Sequence, residues 1–354
     1  MAKNNCGCGS CGCGKEKTTT PGSVHAGYTR VDSVWRAEDI IGAVSARVGI
    51  NRNNYRVSPG LYALGSPGKE SEVFVTANYK YTFDILRHAL SGLDAWILVL
   101  DTKGINVWCA AGKGSFGTIE LMTMIKETNL ENAVSHRRLI LPQLGAPGVV
   151  GFEIKKYMGF EVVYGPVRAE DIKKFFENGM KADEEMRRVR FNALDRAQLT
   201  FVELGSAMKT ALIAVLAVVI VSAVKNGINI EALMKAVPDT LGVLCAVFAG
   251  AVLTPLFLPW LPFRSFSLKG FFVGLICGGS FAAASGFAPL LGVGWMLMIA
   301  AVSSFLGMGF TGASTYTSFS GTIKEMTYGL PLQAVFALAG VSAYLIYRLT
   351  SGGY

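Results

Sequence analysis

The pattern of apolar and polar positions changes at about residue 200. From residue 72 onward, short apolar runs alternate with amphipathic stretches, as they do in repeated strand–helix units. The continuous apolar run Ala95–Leu100 is typical of a strand that is buried in a parallel sheet. After residue 200 the apolar runs become long enough to cross a bilayer. The sequence therefore predicts an α/β domain followed by an all-α, five-helix transmembrane domain.

The α/β part is expected to contain four strands, each followed by a helix. The strands are predicted at Glu72–Ala77, Ala95–Leu100, Arg138–Leu141 and Glu161–Tyr164, and the helices at Thr82–Leu90, Thr118–Glu127, Val149–Tyr157 and Ala169–Asn178. A further helix is expected over Ser33–Val48. Units of this kind build a parallel sheet with helices on both faces, which predicts a Rossmann-like domain. Ligands of such sheets bind in the loops that follow the carboxyl ends of the strands.

Five stretches are long and apolar enough to be membrane spans. They lie at about Leu204–Val224, Thr240–Leu261, Gly270–Ala284, Leu290–Phe310 and Tyr328–Tyr347. If the α/β domain is cytoplasmic, eight basic residues flank the spans on the inner side and three on the outer side, as the positive-inside rule requires. The inner residues are Lys181, Arg187, Arg188, Arg190, Arg196, Arg264, Lys269 and Lys324, and the outer residues are Lys225, Lys235 and Arg348. We expect a multi-pass protein of the cytoplasmic (inner) membrane.

Composition agrees with this division of the chain. Hydrophobic residues make up 51% of the chain and charged residues 16%, whereas soluble proteins average about 25% charged. The predicted domains are a disordered Cys/Gly-rich tail (1–22), the α/β domain (23–180), a charged linker helix (181–200) and the transmembrane domain (201–354). The net charge of +8 suits cytoplasmic loops beside anionic membrane lipid. Because no basic stripe with interleaved aromatics is present, no nucleic-acid partner is expected.

The segment after the strand Ala95–Leu100 carries the most informative chemistry. Residues 106–113, NVWCAAGK, can form a short helix with Asn106 as its N-cap and with Gly112 and Gly114 at its end. Cys109 then lies in the first turn, where backbone N–H groups interact favourably with a thiolate. The sequence therefore predicts an activated thiolate at the carboxyl edge of the sheet.

The neighbours of this thiol indicate the kind of ligand it would accept. Lys113 is four residues after Cys109 and shares its helix face, where it adds positive charge. Ala110, Ala111 and Gly112 are expected to keep the surroundings flat, so that a large planar ligand can approach the sulfur. A single soft thiolate suits a transition metal whose equatorial positions are already filled by a macrocycle.

Two other interpretations of Cys109 remain open on the residues alone. Buried cysteines are often only packing residues. A cysteine nucleophile for acyl transfer would need a partnered base, and His25, His88 and His136 show no evident triad pattern. We expect reduced thiols rather than disulfides, because no apolar signal segment precedes the cysteines.

NVWCAAGK resembles, at all eight positions, the cap-helix motif of the HgcA family of mercury-methylating corrinoid proteins. Gly114, Phe116, Gly117 and Thr118 continue the likeness. Residues 72–180 also resemble the corrinoid domain of the corrinoid iron–sulfur protein of acetyl-CoA synthesis. A membrane domain of five spans, following the corrinoid domain, is a further shared trait.

The resemblance implies a corrinoid-dependent methyltransferase that forms methylmercury. The cofactor would be a cobalamin-type corrinoid, methylated and base-off, with Cys109 as the lower axial ligand of its cobalt. The methyl group would pass to Hg(II) as the substrate. The implied partners are a ferredoxin-type protein with two [4Fe–4S] clusters and a methyl donor from a folate-linked C1 pathway.

Other residues in the loops after the strands are candidate cofactor contacts. Thr76, Asn78 and Thr82 either contact the corrinoid or hold a helix start, and the Gly and Pro of residues 143–147 and 165–166 either contact it or form turns. Trp108 either packs beneath the helix or touches the corrin, and Asn106 either caps the helix or orients the sulfur. The full cofactor-binding set is Thr76, Asn78, Thr82, Asn106, Val107, Trp108, Cys109, Ala110, Ala111, Gly112, Lys113, Gly114, Phe116, Thr118, Gln143, Gly145 and Ala146.

The remaining cysteines allow further metal chemistry. In the tail, Cys6, Cys8, Cys11 and Cys13 either capture Hg(II) or Zn(II), since soft metals prefer thiolates, or belong to a glycine-rich tail without function. Cys245 and Cys277 lie within spans and are either apolar packing residues or holders of transient mercury.

Two alternative functions remain beside the methyltransferase. One is a membrane corrinoid methyl carrier of one-carbon metabolism, with an acceptor other than mercury. The other is a metal-binding or transport protein that uses the tail and the spans. Transport is disfavoured because the spans show no chain of ionisable residues across the bilayer.

Overall fold

The computed structural model describes residues 24–25, 27–313 and 319–350. The chain forms two compact units. One unit, here called the α/β unit, combines Asn53–Arg187 with the segment that ends at Asp39, and the other, the helical unit, combines Ile40–Arg52 with the chain from Arg188 onward. The tail cysteines Cys6, Cys8, Cys11 and Cys13 lie outside the described residues.

Within the described residues, seven strands form one sheet in the order β1-β2-β3-β5-β4-β6-β7. The strands are β1 (Val24–His25), β2 (Tyr28–Val31), β3 (Gly60–Leu64), β4 (Val73–Ala77), β5 (Ala95–Leu100), β6 (Arg138–Leu141) and β7 (Glu161–Tyr164). Strands β4 to β7 are mutually parallel and confirm the four predicted strands. The sheet as a whole is mixed, however, because β3 pairs antiparallel with β5. The first three strands were not predicted.

Helices cover both faces of this sheet. Those that lie in the α/β unit are α2 (Lys80–Ala89), α3 (Val107–Lys113), α4 (Thr118–Glu127), α5 (Leu130–Ala133), α6 (Gly151–Met158), α7 (Ile172–Glu177) and α8 (Glu184–Arg187). A further helix, α1 (Ala37–Arg47), begins in this unit and continues into the helical unit. Successive side chains of a strand point to opposite faces, so β5 sends Trp96, Leu98 and Leu100 into one core. The same strand sends Ala95, Ile97 and Val99 into the other core. This double-sided burial explains the uninterrupted apolar run.

A buried ionic cluster joins the start of α1 to α2. Lys80 Nζ lies 2.5 Å from Asp39 Oδ1 and 2.7 Å from Asp84 Oδ2. Arg87 contacts the same two carboxylates, at 2.6 Å from Asp39 and 2.8 Å from Asp84. Burial by itself would raise the pKa of Asp39, but the hydrogen bond from Lys80 and the charges of Lys80 and Arg87 hold it below its usual value. The cluster therefore stabilises the folded α/β unit through paired charges.

The helical unit consists mainly of long apolar helices. They are α9 (Ala193–Asn226), α10 (Ile230–Phe248), a π-helical turn (Ala249–Leu253), α11 (Thr254–Phe257), α12 (Phe266–Ala284), α13 (Pro289–Gly309) and α14 (Phe319–Thr350). Over the described residues, five helical segments are long and apolar enough to cross a membrane. The number of predicted spans agrees with this finding, although several helices extend beyond the predicted bounds.

The charged segment 181–200 differs from the single helix that was expected there. Helix α8 ends at Arg187, and α9 begins at Ala193. Asn192 starts the second helix through a capping box, because its side chain accepts a hydrogen bond from Asp195 N (3.0 Å) and Asp195 bonds back to Asn192 N (3.2 Å). The cap at Asn192 therefore separates two helices in a segment for which the pattern of charges had predicted a single helix.

Glycines bring α12 and α13 into close contact. A Cβ built on Gly274 would lie only 2.6 Å from Ala300 Cα, and one on Gly278 would lie 2.8 Å from Met296 Cα. Ser303 Oγ donates a hydrogen bond to the carbonyl oxygen of Gly270 (2.7 Å) across the same interface. These glycines therefore permit close helix packing, in the way that is common between membrane helices.

One charged pair is buried within the helical unit. Asp239 in α10 is 3% exposed, and Arg348 of α14 donates to both of its carboxylate oxygens (2.9 and 2.8 Å). The Tyr344 hydroxyl (2.6 Å) and the Trp295 indole N–H (3.2 Å) donate to the same carboxylate. A buried charge is costly unless it is paired, and here the pairing links three helices. The sequence analysis had placed Asp239 just outside a span.

Candidate thiol site at the carboxyl end of the sheet

Helix α3 carries Cys109 and follows the carboxyl end of β5. The Asn106 side chain accepts a hydrogen bond from Cys109 N (2.9 Å), so Asn106 is the N-cap that was predicted. Gly114 ends the helix in the left-handed conformation (φ +83°), which glycine adopts without strain. The start of the helix is therefore set by the first residue of the motif, and its end by the glycine that directly follows the motif.

The exposed face of α3 presents the thiol. Val107, Ala110 and Ala111 are buried and pack into the core of the sheet, whereas Cys109 is exposed. Trp108 is 38% exposed, which disfavours the interpretation that it packs beneath the helix. Ala110 and Ala111 also differ from expectation, because positions 107, 110 and 111 share the inner face at helical spacing.

The outer surface of α3 therefore contains fewer residues than the sequence analysis expected around the thiol. Beside Cys109 it contains Trp108, Gly112 and Lys113, all of them exposed. Lys113 lies one turn after Cys109, as predicted, and Gly112 leaves open space next to the helix, since a Cβ there would meet nothing within 4 Å. The surface around the thiol is open on the side of Gly112.

Asn78 holds the loop that leads into α3. Its side-chain oxygen accepts hydrogen bonds from Thr102 N (3.1 Å) and from Gly104 N (2.9 Å), and its amide group donates to Asp101 Oδ1 (3.0 Å). The Thr102 hydroxyl lies 2.7 Å from the carbonyl oxygen of Ile105 and donates to it. Asn78 is 2% exposed, so its side chain holds the loop from the buried side. Sequence reasoning identified Asn78 but missed its partner Thr102.

Asp101 connects this loop to two charged neighbours. Its side chain is bonded to Lys103, and its backbone N–H donates to Glu120 Oε1 in α4 (2.9 Å). Burial would raise the pKa of Asp101, but the hydrogen bonds from Lys103 lower it below its ordinary value. Asp101 is therefore ionised at neutral pH. Glu120 was not predicted as part of the site, because its contact joins residues that are distant in sequence.

The loop after β6 packs against the end of α3. Phe116 is fully buried, and a Cβ on Gly145 would lie 2.5 Å from Phe116 Cε1. A Cβ on Gly148 would overlap the carbonyl oxygen of Phe116 and would lie 3.0 Å from Ala111 Cα. Thr118 Oγ1 accepts a hydrogen bond from Val150 N (2.9 Å). Phe116, Thr118 and Gly145 therefore fix the two loops against each other.

Two buried polar atoms near α3 lack a protein partner within the described part of the chain. They are Ser115 Oγ, just after the helix, and Gln143 Oε1, in the loop after β6. Buried polar atoms are almost always hydrogen-bonded, so both are available to an N–H donor of a ligand. Gln143 was predicted and Ser115 was missed, although it lies directly beside the motif.

The other predicted residues lie further from the thiol in sequence and make separate contacts. Thr76 is buried near the carboxyl end of β4, and Thr82 is half-buried in the first turn of α2. Ala146 is half-buried after the 3₁₀ turn Gln143–Gly145. Gly165 N donates to the carbonyl oxygen of Leu141 (2.8 Å), which extends the β6–β7 pairing and favours the turn interpretation.

The described histidine side chains do not pair with Cys109. His88 Nδ1 lies 3.1 Å from the carbonyl oxygen of Ser33, and His136 Nε2 lies 2.9 Å from that of Ser71. These contacts argue against a cysteine–histidine nucleophile. A cavity of about 510 Å³, lined by Asp32, Leu64 and Asp94 among others, lies beside the residues that precede β5. It is therefore at the amino end of that strand, away from α3.

The geometry defines an α/β domain that presents an exposed thiol, on a capped helix, at the carboxyl end of its parallel strands. Residues 40–176 match the family model of the CO dehydrogenase/acetyl-CoA synthase delta subunit. The acetyl-CoA decarbonylase/synthase complex subunit gamma of Archaeoglobus fulgidus is 33% identical over 135 residues, which cover 38% of this chain and 28% of that protein. The corrinoid/iron–sulfur protein large subunit of Moorella thermoacetica is 30% identical over 122 residues, which cover 34% and 27%.

The match to the family model ends before the first of the long apolar helices begins. The chain spans less than a third of the length of these relatives. The matched segment includes α3 and both loops around it, but not the five long helices. The α/β unit is therefore similar to one domain of larger proteins, among them a corrinoid protein.

Proposed function

We propose that the α/β unit binds a corrinoid over the exposed face of α3 and that the protein is a corrinoid-dependent methyltransferase that methylates Hg(II). The single observation that carries this proposal is the exposed thiol of Cys109. The backbone N–H of this residue donates a hydrogen bond to the Asn106 side chain (2.9 Å), which fixes its position. The similarity to a corrinoid/iron–sulfur protein large subunit supports the cofactor. The motif NVWCAAGK supports mercury as the acceptor.

The residues around the thiol fit such a cofactor. Cys109 would hold the cobalt, since a soft thiolate suits that metal. The open surface beside Gly112 would admit a planar macrocycle, and Ser115 and Gln143 are the residues that would hold its polar groups, because their buried oxygens lack a protein partner in the described part of the chain. A corrinoid bound in the base-off form would supply a methyl group on cobalt for transfer to Hg(II).

The chain's own residues prepare the sulfur for this role. The Asn106 cap fixes the first turn of α3 and with it the position of the Cys109 backbone. Lys113 adds a positive charge on the same helix face. Asn78 and the Phe116–Gly145 contact hold the loops on each side, so that the Cys109 sulfur would keep one position beside a bound cofactor.

The long helices anchor the reaction to the membrane. We propose that five of them span the cytoplasmic membrane, with the α/β unit in the cytoplasm, because the basic flanks favour this orientation. A ferredoxin-type protein with two [4Fe–4S] clusters is the proposed electron donor, and a folate-linked C1 pathway is the proposed methyl source. Both would act on the cytoplasmic side.

A second candidate function keeps the cofactor and changes the acceptor. Several relatives are subunits of acetyl-CoA decarbonylase/synthase complexes, which favours a methyl carrier of one-carbon metabolism. Mercury methylation and carriage differ in the acceptor, and the Cys109 site serves either. A metal-binding or transport function of the tail is tested by deleting residues 1–14, which should leave corrinoid binding and methyl transfer intact.

The first test is the anaerobic absorbance spectrum of the full chain reconstituted with cobalamin. We expect a base-off spectrum with sulfur ligation, and we expect Cys109→Ala to lose the sulfur signature because Cys109 is the exposed thiol among the cysteines that the structure describes. Thr123→Ala, an exposed position in α4, is the matched control and should leave the spectrum unchanged. A protein that takes up no cobalamin would refute the corrinoid site.

The second test identifies the acceptor. The methylated protein is mixed with Hg(II) held by a small thiol under strongly reducing conditions, and methylmercury is measured. Its formation in the wild type and its loss in Cys109→Ala support the methyltransferase. A methylated protein that forms no methylmercury, but passes its methyl group to another acceptor, supports the carrier.

A further inference from the structure

Two cysteines of the helical unit meet at the contact between α10 and α12. The Cys245 thiol donates a hydrogen bond to the carbonyl oxygen of Cys277 (4.0 Å). Both cysteines are free and half-buried. The two helices therefore bring two free cysteines to one contact, where the Cys245 sulfur reaches the backbone of Cys277.

The surroundings of this thiol pair are apolar. Both cysteines pack against a cluster that includes Val273, Trp295 and Ile299. An acidic group in contact with this cluster, Asp239, is bonded to the Trp295 indole and neutralised by Arg348. The site therefore accepts only an occupant that is neutral once bound, because an isolated charge in an apolar interior is costly.

An irregular helical turn lies directly beyond Cys245. Residues Ala249–Leu253 form a π-helical turn, and Thr254 Oγ1 donates to the carbonyl oxygen of Ala249 (2.9 Å). π-helical turns inside α-helices are frequent at functional sites. The helix that carries Cys245 is therefore irregular in the segment that follows this cysteine.

We propose that Cys245 and Cys277 form a two-thiolate binding site for Hg(II) within the helical unit. Soft thiolates select soft cations, and Hg(II) needs only two sulfurs on opposite sides. Two thiolates and one divalent ion make a neutral complex, which suits the apolar cluster. A monovalent soft ion would leave one negative charge in the same place. Zn(II) prefers four ligands, and two cysteines supply half of them.

The binding step is a ligand exchange without oxidation or reduction. Hg(II) arrives as a complex with two small thiolates. Two mercury–sulfur bonds to the small thiolates break and two bonds to Cys245 and Cys277 form. The protons of the two cysteine thiols pass to the departing thiolates. That the bound ion is stored for methylation rests on the proposed function, whereas the binding itself does not.

The test measures bound mercury in the full chain in detergent, without corrinoid. The protein is incubated with the Hg(II) complex of glutathione and excess glutathione, separated by gel filtration and analysed for mercury per chain. We expect Cys245→Ala and Cys277→Ala each to lose one mercury ion per chain. The double variant should lose the same single ion, since both sulfurs hold it. Ser280→Ala, exposed on α12, is the control and should lose none.

A second readout guards against variants that fold poorly. Mercury that bridges α10 and α12 should raise the melting temperature of the wild type, and this rise should be absent in Cys277→Ser, which keeps a small polar side chain. The proposal would be overturned if the double variant bound as much mercury as the wild type. It would also be overturned if the double variant lost two ions per chain, the sum of the losses of the two single variants. Mercury bound at this site in a protein that forms no methylmercury would refute the proposed function and leave the site standing.

Discussion

Asn78→Ala should loosen the loop that positions the thiol helix. The substitution removes the oxygen that accepts from Thr102 N and Gly104 N and the amide group that donates to Asp101. Thr102 N also lies 3.0 Å from the carbonyl oxygen of Leu100, so it keeps one partner. Gly104 N is buried and loses the acceptor that the structure gives it. The perturbation therefore leaves at least one buried donor unsatisfied.

The size of the effect follows from these contacts. An unsatisfied buried donor costs about 1–3 kcal/mol. Because the Asp101 hydrogen bond is lost as well, we expect the free energy of local opening of residues 101–106 to fall by about 2–3 kcal/mol. Each 1.4 kcal/mol is a factor of ten in an equilibrium, so amide exchange in this loop should become roughly 30- to 150-fold faster.

Hydrogen–deuterium exchange read by mass spectrometry measures this change in the full chain. Local opening is detected peptide by peptide, so the loop can be followed without unfolding the long helices. Asn132→Ala removes an exposed asparagine whose side chain bonds only locally to Asn129, and it should leave exchange of residues 101–106 unchanged. Equal exchange of this loop in the wild type and in Asn78→Ala would refute the positioning role.

Two further predictions concern packing and pH. In thermal melts, Gly148→Ala should destabilise the α/β unit by at least about 3 kcal/mol, because the added Cβ would overlap the backbone of Phe116. In the same melts, Gly112→Ala should be neutral or stabilising by up to about 1 kcal/mol, because its Cβ would meet open space. Since the pKa of folded Asp39 lies below its unfolded value of 3.8, its stabilising effect is complete above that value and is lost as the pH falls through the lowered folded value. The melting temperature should therefore drop more steeply below pH 4 in the wild type than in Asp39→Asn, and equal slopes would contradict the pairing with Lys80.

Local signals in the sequence determined much of the fold. The strand Ala95–Leu100 was predicted with its observed bounds because it is buried on both faces and therefore has no polar interruption. Strand β3 (Gly60–Leu64) is equally buried, but its five residues stand between glycine- and proline-rich segments. Its antiparallel pairing with β5 depends on partners that no local pattern reveals.

The candidate site shows the same division between local and long-range information. The Asn106 cap spans three residues and could be predicted, whereas the bonds from Asn78 to Thr102 and Gly104 join residues more than 20 positions apart. The inward direction of Ala110 and Ala111 also depends on where the sheet lies. The motif identified the reactive residue, and tertiary contacts decided which neighbours share its surface.

The Asp239–Arg348 pair has a consequence for how the chain is assembled. Arg348 lies near the end of α14, so it is synthesised long after Asp239 has left the ribosome. Either charge alone would be costly in this apolar interior, because a buried charge that lacks its partner is strongly destabilising. We therefore expect α10 to remain at the membrane surface or beside the insertion machinery until α14 has been synthesised. A chain shortened before Arg348 should be recognised by membrane quality control and degraded.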